Sequence, residues 1–177
     1  MSKTNSVFPI LKTKRLQLRK LTNNDARQIF YLRSDEIVNQ YILRAKQKDL
    51  KEALSFINDR NKDVENGKIQ YWAISLKETQ KLIGSICLWN FSEDKTVAEI
   101  GYDLHPDYHH KGIMTEAIQE VISFGFNKLQ LKSIEAYTHK ENTNSVKLLI
   151  KSRFIYQPSR VDKGFPHNNI YVLKNAN

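Results

Sequence analysis

The strongest constraint on the fold of this 177-residue chain is a change of apolar period after its strand-rich middle. The segment TVAEIGYDL alternates as a strand does and ends at Leu104, whereas the apolar residues from Ile113 onward recur at helical spacing. Pro106 prevents the strand from continuing smoothly, and Gly112 stands where the helix begins. A helix start offers unpaired N–H groups and the positive end of the dipole, so this junction has the parts of a diphosphate-binding turn.

The alternative is an ordinary glycine-containing loop before an amphipathic helix, and spacing alone leaves both readings open. The remaining segments predict a mixed sheet covered by helices, of the α/β (α+β) class. Polar, hairpin-sized links make the three central strands antiparallel neighbours. Strands are predicted at 11–21, 69–76, 81–91, 96–104, 131–139, 154–160 and 167–174, and helices at about 21–34, 48–66, 113–129 and 142–154. No repeat or linker interrupts this order, which predicts a single domain over residues 1–177.

The net charge of +9 is unevenly spread. Residues 1–50 carry 11 basic and 4 acidic side chains, residues 51–150 carry 12 and 14, and residues 151–177 carry 5 and 1. A uniformly basic nucleic-acid-binding module would look different, so that function remains only an alternative. A single cysteine excludes an intrachain disulfide, and the absence of a long apolar run or a signal-peptide core predicts a cytoplasmic protein that does not cross a membrane.

Three histidines, His105, His109 and His110, cluster around the junction with two aspartates. They fall on a strand end and a turn, not on one helix face as in the zinc-protease motif, so we expect no metal site.

The junction also carries a recognisable pattern. The segment YHHKGIMTEAI resembles the acyl-CoA signature of the GNAT superfamily of N-acetyltransferases. It is closer still to the branch that acetylates ribosomal-protein N-termini (the RimJ/RimL type), which typically reads Tyr-Trp-Gly-Lys-Gly-Tyr-Ala-Thr-Glu-Ala. The residues shared with that pattern are Tyr108, Lys111, Gly112, Thr115, Glu116 and Ala117. Further segments resemble the family in the same order, so the resemblance covers roughly residues 10–174.

The resemblance implies a twisted, mostly antiparallel sheet of about seven strands with four helices. Its fourth and fifth strands splay apart to admit the pantetheine arm of acetyl-CoA, the implied co-substrate. Backbone amides of the turn would hold the diphosphate, and the backbone of Leu104 would pair with the pantetheine as an added strand does. The implied coenzyme-binding residues are Leu104, His109, His110, Lys111, Gly112, Ile113, Met114, Thr115, Asn142, Ser145 and Lys151.

Four positions depart from the family pattern. His109 stands where this branch often has Trp, and Met114 stands where a small residue is usual. Arg153 replaces the glycine before Phe154. Many family members place a Tyr that acts as the acid seven residues after the asparagine that matches Asn142. That position here is Leu149, and the RimJ/RimL branch commonly lacks the Tyr too. None of the first three changes removes a backbone donor, whereas the fourth moves the acid role to Ser145 or to no residue.

Two residues are the predicted catalytic groups. Glu99 matches the family glutamate that lines the cleft, and we expect it to accept the proton of the attacking amine. Its alternative role is a strand-face carboxylate paired with a lysine. Ser145 would hydrogen-bond the departing sulfur, and its alternative role is helix capping or polar packing.

The expected acceptor is a primary amine on a protein N-terminus or on a small molecule. The basic surplus lies in segments expected to flank the acceptor, so we expect neutral or acidic acceptors to be favoured. A non-catalytic acyl-CoA sensor is a further alternative, and the oligomeric state is open between a monomer and a homodimer.

Overall fold

The structure is a computed structural model that describes residues 8–176. That part of the chain forms eight strands and five helices. The strands are β1 (Leu11–Lys12), β2 (Leu16–Arg19), β3 (Gln70–Leu76), β4 (Leu82–Trp89), β5 (Val97–Leu104), β6 (Ser133–His139), β7 (Ile155–Tyr156) and β8 (Asn168–Lys174). The helices are α1 (Ala26–Ser34), α2 (Glu36–Asn39), α3 (Leu50–Glu65), α4 (Ile113–Asn127) and α5 (Thr143–Lys151).

The strands form one sheet in the order β1-β2-β3-β4-β5-β6-β8-β7. Neighbouring strands are antiparallel except β5 and β6, which run parallel and pair only over Val97–Glu99 and Ser133–Glu135. Beyond these residues the described parts of the two strands have no ladder between them. The splay therefore lies between the fourth and fifth predicted strands, which confirms the expected mixed, open sheet.

The differences from the predicted element count are small. The single strand expected at 11–21 is a tight hairpin, in which Leu11 pairs with Leu18 and the Thr13 N–H bonds the Leu16 carbonyl at 3.0 Å. The fifth helix, α2, is a single turn whose start is capped by the Asp35 side chain, which accepts from the Val38 N–H. Both elements are too short for an apolar period to be visible in the sequence.

The alternation along β3 sends neighbouring side chains into two hydrophobic layers. Trp72 and Ile74 face α4, whose Ala117, Ile118 and Val121 are fully buried against the sheet. Ala73 faces the opposite side, where α1 and α3 pack. Helices cover both faces of the sheet. The separation of β5 from β6 therefore leaves a gap in the sheet between these two hydrophobic layers.

Candidate active site

A cleft of about 1200 Å³ opens where β5 and β6 separate. Its walls come from β4, β5, β6, the start of α4, helix α5, the α1–α3 segment and the loop before β8. The side chains that line it include five bases, Arg33, Arg44, Arg60, Lys147 and Lys151, and two acids, Glu99 and Asp103. The charged side chains that line the cleft are therefore mostly basic.

The turn before α4 has the backbone that an anion site requires. His110 and Gly112 adopt left-handed conformations, with φ of 58° and 71°. Within residues 8–176, the backbone N–H groups from His110 to Thr115 have no hydrogen-bond acceptor, and the first helical bond runs from the Glu116 N–H to the Gly112 carbonyl. These six consecutive donors fit the diphosphate of acetyl-CoA, because a helix N-terminus binds phosphate through free N–H groups.

Glu116 from the shared signature holds this turn in place. Its carboxylate accepts hydrogen bonds from the Thr13 hydroxyl, from the Arg15 N–H (2.8 Å) and from Arg15 Nε (2.7 Å). Arg15 Nη1 also donates to the Lys111 carbonyl at 2.9 Å. Burial alone would raise the pKa of Glu116, but the hydrogen bonds from Thr13 and Arg15 outweigh it and lower that pKa. The signature glutamate is thus a structural clamp between α4 and the β1–β2 hairpin.

Leu104 and His109 interact directly. The Asp103 carbonyl and the His105 N–H point toward β4. The backbone N–H and carbonyl of Leu104 therefore point away from β4, toward the gap between β5 and β6. The Leu104 carbonyl lies 3.0 Å from Nε2 of His109. The histidine that departs from the family pattern therefore contacts the carbonyl that the resemblance assigns to the pantetheine.

Asn142 and Ser145 meet at the start of α5. The Asn142 side chain is the helix cap, because its Oδ1 accepts from the Ser145 N–H at 3.1 Å. The Ser145 hydroxyl lies 2.8 Å from the hydroxyl of Tyr102 on β5. Burial raises the pKa of Tyr102 to about 12, although the Ser145 hydrogen bond opposes this, so the phenol stays protonated at neutral pH.

Sequence reasoning missed Tyr102. A signal was present, because Tyr102 lies two residues before Leu104 on the same strand and so points to the same side of the sheet. Leu149, which occupies the position of the usual family tyrosine, is fully buried in the core.

Glu99 lies on β5 at the point where the strands part, opposite Trp89 on β4 and Glu135 on β6. Burial raises its pKa to about 7, Glu135 and Asp162 add to the shift, and a 3.4 Å hydrogen bond from the Asn90 amide opposes it. Among residues 8–176 no lysine forms an ion pair with Glu99. The predicted alternative role, pairing with a lysine, is therefore not seen.

Glu135, the neighbour of Glu99, is neutralised by Arg160. The two side chains form a double hydrogen bond of 2.6 and 2.8 Å, and the Tyr137 hydroxyl donates to Glu135 at 2.8 Å. The Arg160 hydrogen bonds lower the pKa of Glu135. Glu135 thus remains ionised, and Arg160 compensates its charge. Glu99 has no such cationic partner among residues 8–176.

The remaining predicted residues divide by location. Ile113, Met114, Thr115 and Lys151 line the cleft, and the Ile113 side chain is also buried in the main hydrophobic core. Lys111 is not part of the cleft lining. The Lys111 ammonium lies 5.7 Å from the centre of the Tyr108 ring. Residues 8–176 contain no group of three or more His, Cys, Asp or Glu side chains arranged to hold a metal ion. No helix in the same part of the chain is long and apolar enough to cross a membrane.

The fold is an open mixed sheet with a cleft between two splayed strands, and comparison with known proteins identifies its family. The model of the Acetyltransferase (GNAT) domain family matches residues 15–155, so the chain belongs to that family. The uncharacterized N-acetyltransferase YoaA of Bacillus subtilis (strain 168) is 32% identical over 172 residues, covering 94% of this chain and 97% of that protein.

Two solved structures share the fold. A GNAT-family acetyltransferase from Bacillus anthracis matches with a TM-score of 0.81 at 25% identity, over 94% of this chain and 98% of that one. RimL, the ribosomal L7/L12 alpha-N-protein acetyltransferase, matches with a TM-score of 0.80 at 15% identity, over 94% of each chain. The expected GNAT membership is confirmed, and the match to RimL shows that the two proteins share the fold.

Proposed function

We propose that the protein transfers the acetyl group of acetyl-CoA to a primary amine by direct attack, with residues 1–177 acting as one cytoplasmic domain, as a monomer or a homodimer. The observation that carries the proposal is the row of six free N–H groups from His110 to Thr115, which opens onto the same cleft as Glu99. One end of the cleft can hold a diphosphate, and the other end holds a carboxylate whose pKa suits proton acceptance near neutral pH.

Glu99 is the proposed base. An alkyl ammonium must lose a proton before its nitrogen can attack, and a carboxylate with a pKa of about 7 accepts that proton better than an ordinary one. The neutral nitrogen then bonds to the thioester carbonyl carbon, the carbon–sulfur bond breaks, and the sulfur leaves with the electron pair. The nitrogen loses its second proton as the amide forms, and this proton replaces the one that the leaving sulfur takes up from the protein, so coenzyme A leaves as the thiol. Acetyl-CoA supplies the activated acyl group, and the protein supplies proximity and the proton acceptor.

Tyr102 and Ser145 are the proposed partners of the leaving sulfur. Their hydroxyls are hydrogen-bonded at 2.8 Å, and both residues line the cleft. Because burial keeps the Tyr102 phenol protonated, the pair has a proton to donate to a developing thiolate. This assignment extends the predicted role of Ser145 and supplies the acid that Leu149 does not.

On the coenzyme side, Asn142, Lys151, Leu104 and His109 complete the proposed binding site. Asn142 uses its Oδ1 as a helix cap, so its amide N–H₂ group is the part available to the pantetheine. Lys151 would lie near the nucleotide, as the resemblance implies.

The test combines binding with turnover. Saturating acetyl-CoA should raise the melting temperature, and a panel of amines should include one that releases free thiol from acetyl-CoA. An unchanged melting temperature together with no thiol release would refute the proposal. A raised melting temperature without transfer to any amine would favour the acyl-CoA sensor, while the family match already favours an acetyltransferase over a nucleic-acid-binding module.

A further inference from the structure

The α1–α3 side of the cleft contains a pair of arginines that the transfer chemistry does not use. Arg33 at the end of α1 and Arg60 on α3 both line the cleft. Their guanidinium carbons lie 4.0 and 5.4 Å from the centre of the same ring, that of Phe56. The arrangement holds two cations on one aromatic surface, although they repel each other.

Arg33 is the more exceptional of the two. Within residues 8–176 its guanidinium has no hydrogen bond and no ion pair, and its Nε is buried without an acceptor. The Nε of Arg60 is also buried without an acceptor, while its Nη2 is paired with Asp63 at 2.9 Å. Buried donors without partners cost free energy, so this pair is incomplete as a purely structural feature.

The nearby charges make the site positive. Burial lowers the pKa of Arg33, and the neighbouring Arg44 and Arg60 lower it further, although Asp103 and Tyr71 oppose them. The Asp103 charge is itself committed, because its carboxylate accepts from Arg44 at 3.1 Å and from the Ser85 hydroxyl at 2.7 Å. The Nη atoms of Arg33 are not among these buried donors, so an anion in the cleft can pair with them and balance the positive charge.

We propose that Arg33 and Arg60, stacked on Phe56, form a subsite for an oxyanion group, a carboxylate or a phosphate, carried by the acceptor in addition to its amine. The inference rests on the proposed function for the position of the amine at Glu99. Arginine suits this role because its planar fork binds the two oxygens of a carboxylate or phosphate together. Phe56 and Tyr71, whose rings meet edge to face at 5.9 Å, add an apolar wall beside the anion.

The first arm of the test measures anion binding without turnover. The protein is saturated with coenzyme A so that the α4 turn is filled, and its melting temperature is followed while inorganic phosphate replaces chloride at constant ionic strength. Wild type should be stabilised by phosphate, and Arg33→Met and Arg60→Met should lose that stabilisation. Arg27→Met removes the same charge from an exposed position on α1 and should behave as wild type.

The second arm measures preference. Acetyl transfer is compared for ω-amino carboxylates of increasing length against their carboxamides, and for O-phosphoethanolamine against ethanolamine, which separates carboxylate from phosphate. The anionic member of the best pair should have a kcat/KM about 10- to 100-fold higher, as expected for hydrogen bonds to a charged group. Arg33→Met should bring that ratio close to one, and Arg27→Met should keep it.

The outcomes separate the two proposals. Transfer that ignores the anionic group, or a preference that survives Arg33→Met, overturns the subsite and leaves the acetyltransferase standing. No transfer to any amine counts against the acetyltransferase, and the phosphate arm then decides the subsite alone. Phosphate stabilisation that is absent from wild type, or equal in all four proteins, overturns it.

Discussion

The two ends of the cleft are built in different ways. The coenzyme end is one continuous stretch of chain, in which backbone N–H groups from His110 to Thr115 do the proposed binding. The proposed acceptor end is assembled from side chains on α1, α3, β3 and β5, and these include Arg33, Phe56 and Arg60. A backbone site tolerates side-chain change, whereas a side-chain site changes with a single substitution. The first is suited to a constant substrate, and the second to specificity.

The largest effect is expected at Glu99, the proposed proton acceptor. Glu99→Gln should lower kcat by about 100-fold or more while leaving acetyl-CoA binding unchanged, because only the proton acceptor is removed. Wild-type activity should rise with pH through about 7 as Glu99 ionises, and the variant should lose that rise. Rates across pH 5.5–8.5 and coenzyme titrations check both.

Thermal unfolding is the control for Glu99→Gln. The folded pKa of Glu99 is raised, so wild type has its full stability at low pH and loses some as pH rises through 7. From pH 5 to above pH 7, the melting temperature of wild type should therefore fall by more than that of Glu99→Gln. A variant with wild-type kcat would remove Glu99 from the mechanism.

The backbone character of the coenzyme end is tested at Gly112. Gly112→Asp puts a negative charge beside the proposed diphosphate site and should weaken acetyl-CoA binding about 10- to 100-fold. Gly112→Asn is the matched control, because it puts a side chain of the same size and without charge at the same positive φ of 71°, beside the same neighbour, Arg15 Nη2 at 3.6 Å. Calorimetric titration of both variants should separate the charge effect from backbone strain. Equal affinities would place the diphosphate elsewhere.

Arg160 is outside the cleft lining but pairs with Glu135, which faces Glu99 across the β5–β6 ladder. Arg160→Gln removes the partner of Glu135 and leaves that carboxylate unshared in register with Glu99. The pH–rate limb should move upward by about one unit, because a second nearby negative charge disfavours ionisation of Glu99. Asn90, Asp162 and Tyr137 also surround this pair and are left intact. A limb that stays in place would show that burial alone sets the Glu99 pKa.

The contrast between the two ends also explains what the sequence could predict. The coenzyme end is local, so its strand, turn and helix start were visible in the period change and in the spacing of Pro106 and Gly112. The splay and the position of Glu99 followed from the family resemblance. Tyr102 was missed because its partner Ser145 lies 43 residues away in sequence, and only tertiary packing brings the two hydroxyls together.

The charge of each segment predicted only some of the basic side chains that line the cleft. Among the basic side chains of residues 8–50, only Arg33 and Arg44 line the cleft, and Arg15 instead clamps the coenzyme turn. Arg60 comes from the middle segment, whose net charge is negative. Net charge by segment carries no information on which helix face points inward, and that face decides which cations reach the cleft.

The smallest expected effect concerns a departure from the family pattern at the end of α5. Arg153 has a positive φ of 67°, where glycine is the favoured residue, and its N–H bonds the Ile150 carbonyl at 2.9 Å. Arg153→Gly should raise stability by about 1 kcal/mol, since relief of the left-handed strain exceeds the extra entropy of the unfolded chain. The melting temperature should rise by about 2–4 °C, and Arg153→Ala should give no such gain. Because Arg153 lies outside the cleft, kcat and KM should not change. A gain in stability that came with altered acetyl-CoA binding would show that the end of α5 is coupled to the coenzyme end of the cleft. The backbone N–H groups of the α4 turn would then not bind the diphosphate independently of the rest of the molecule.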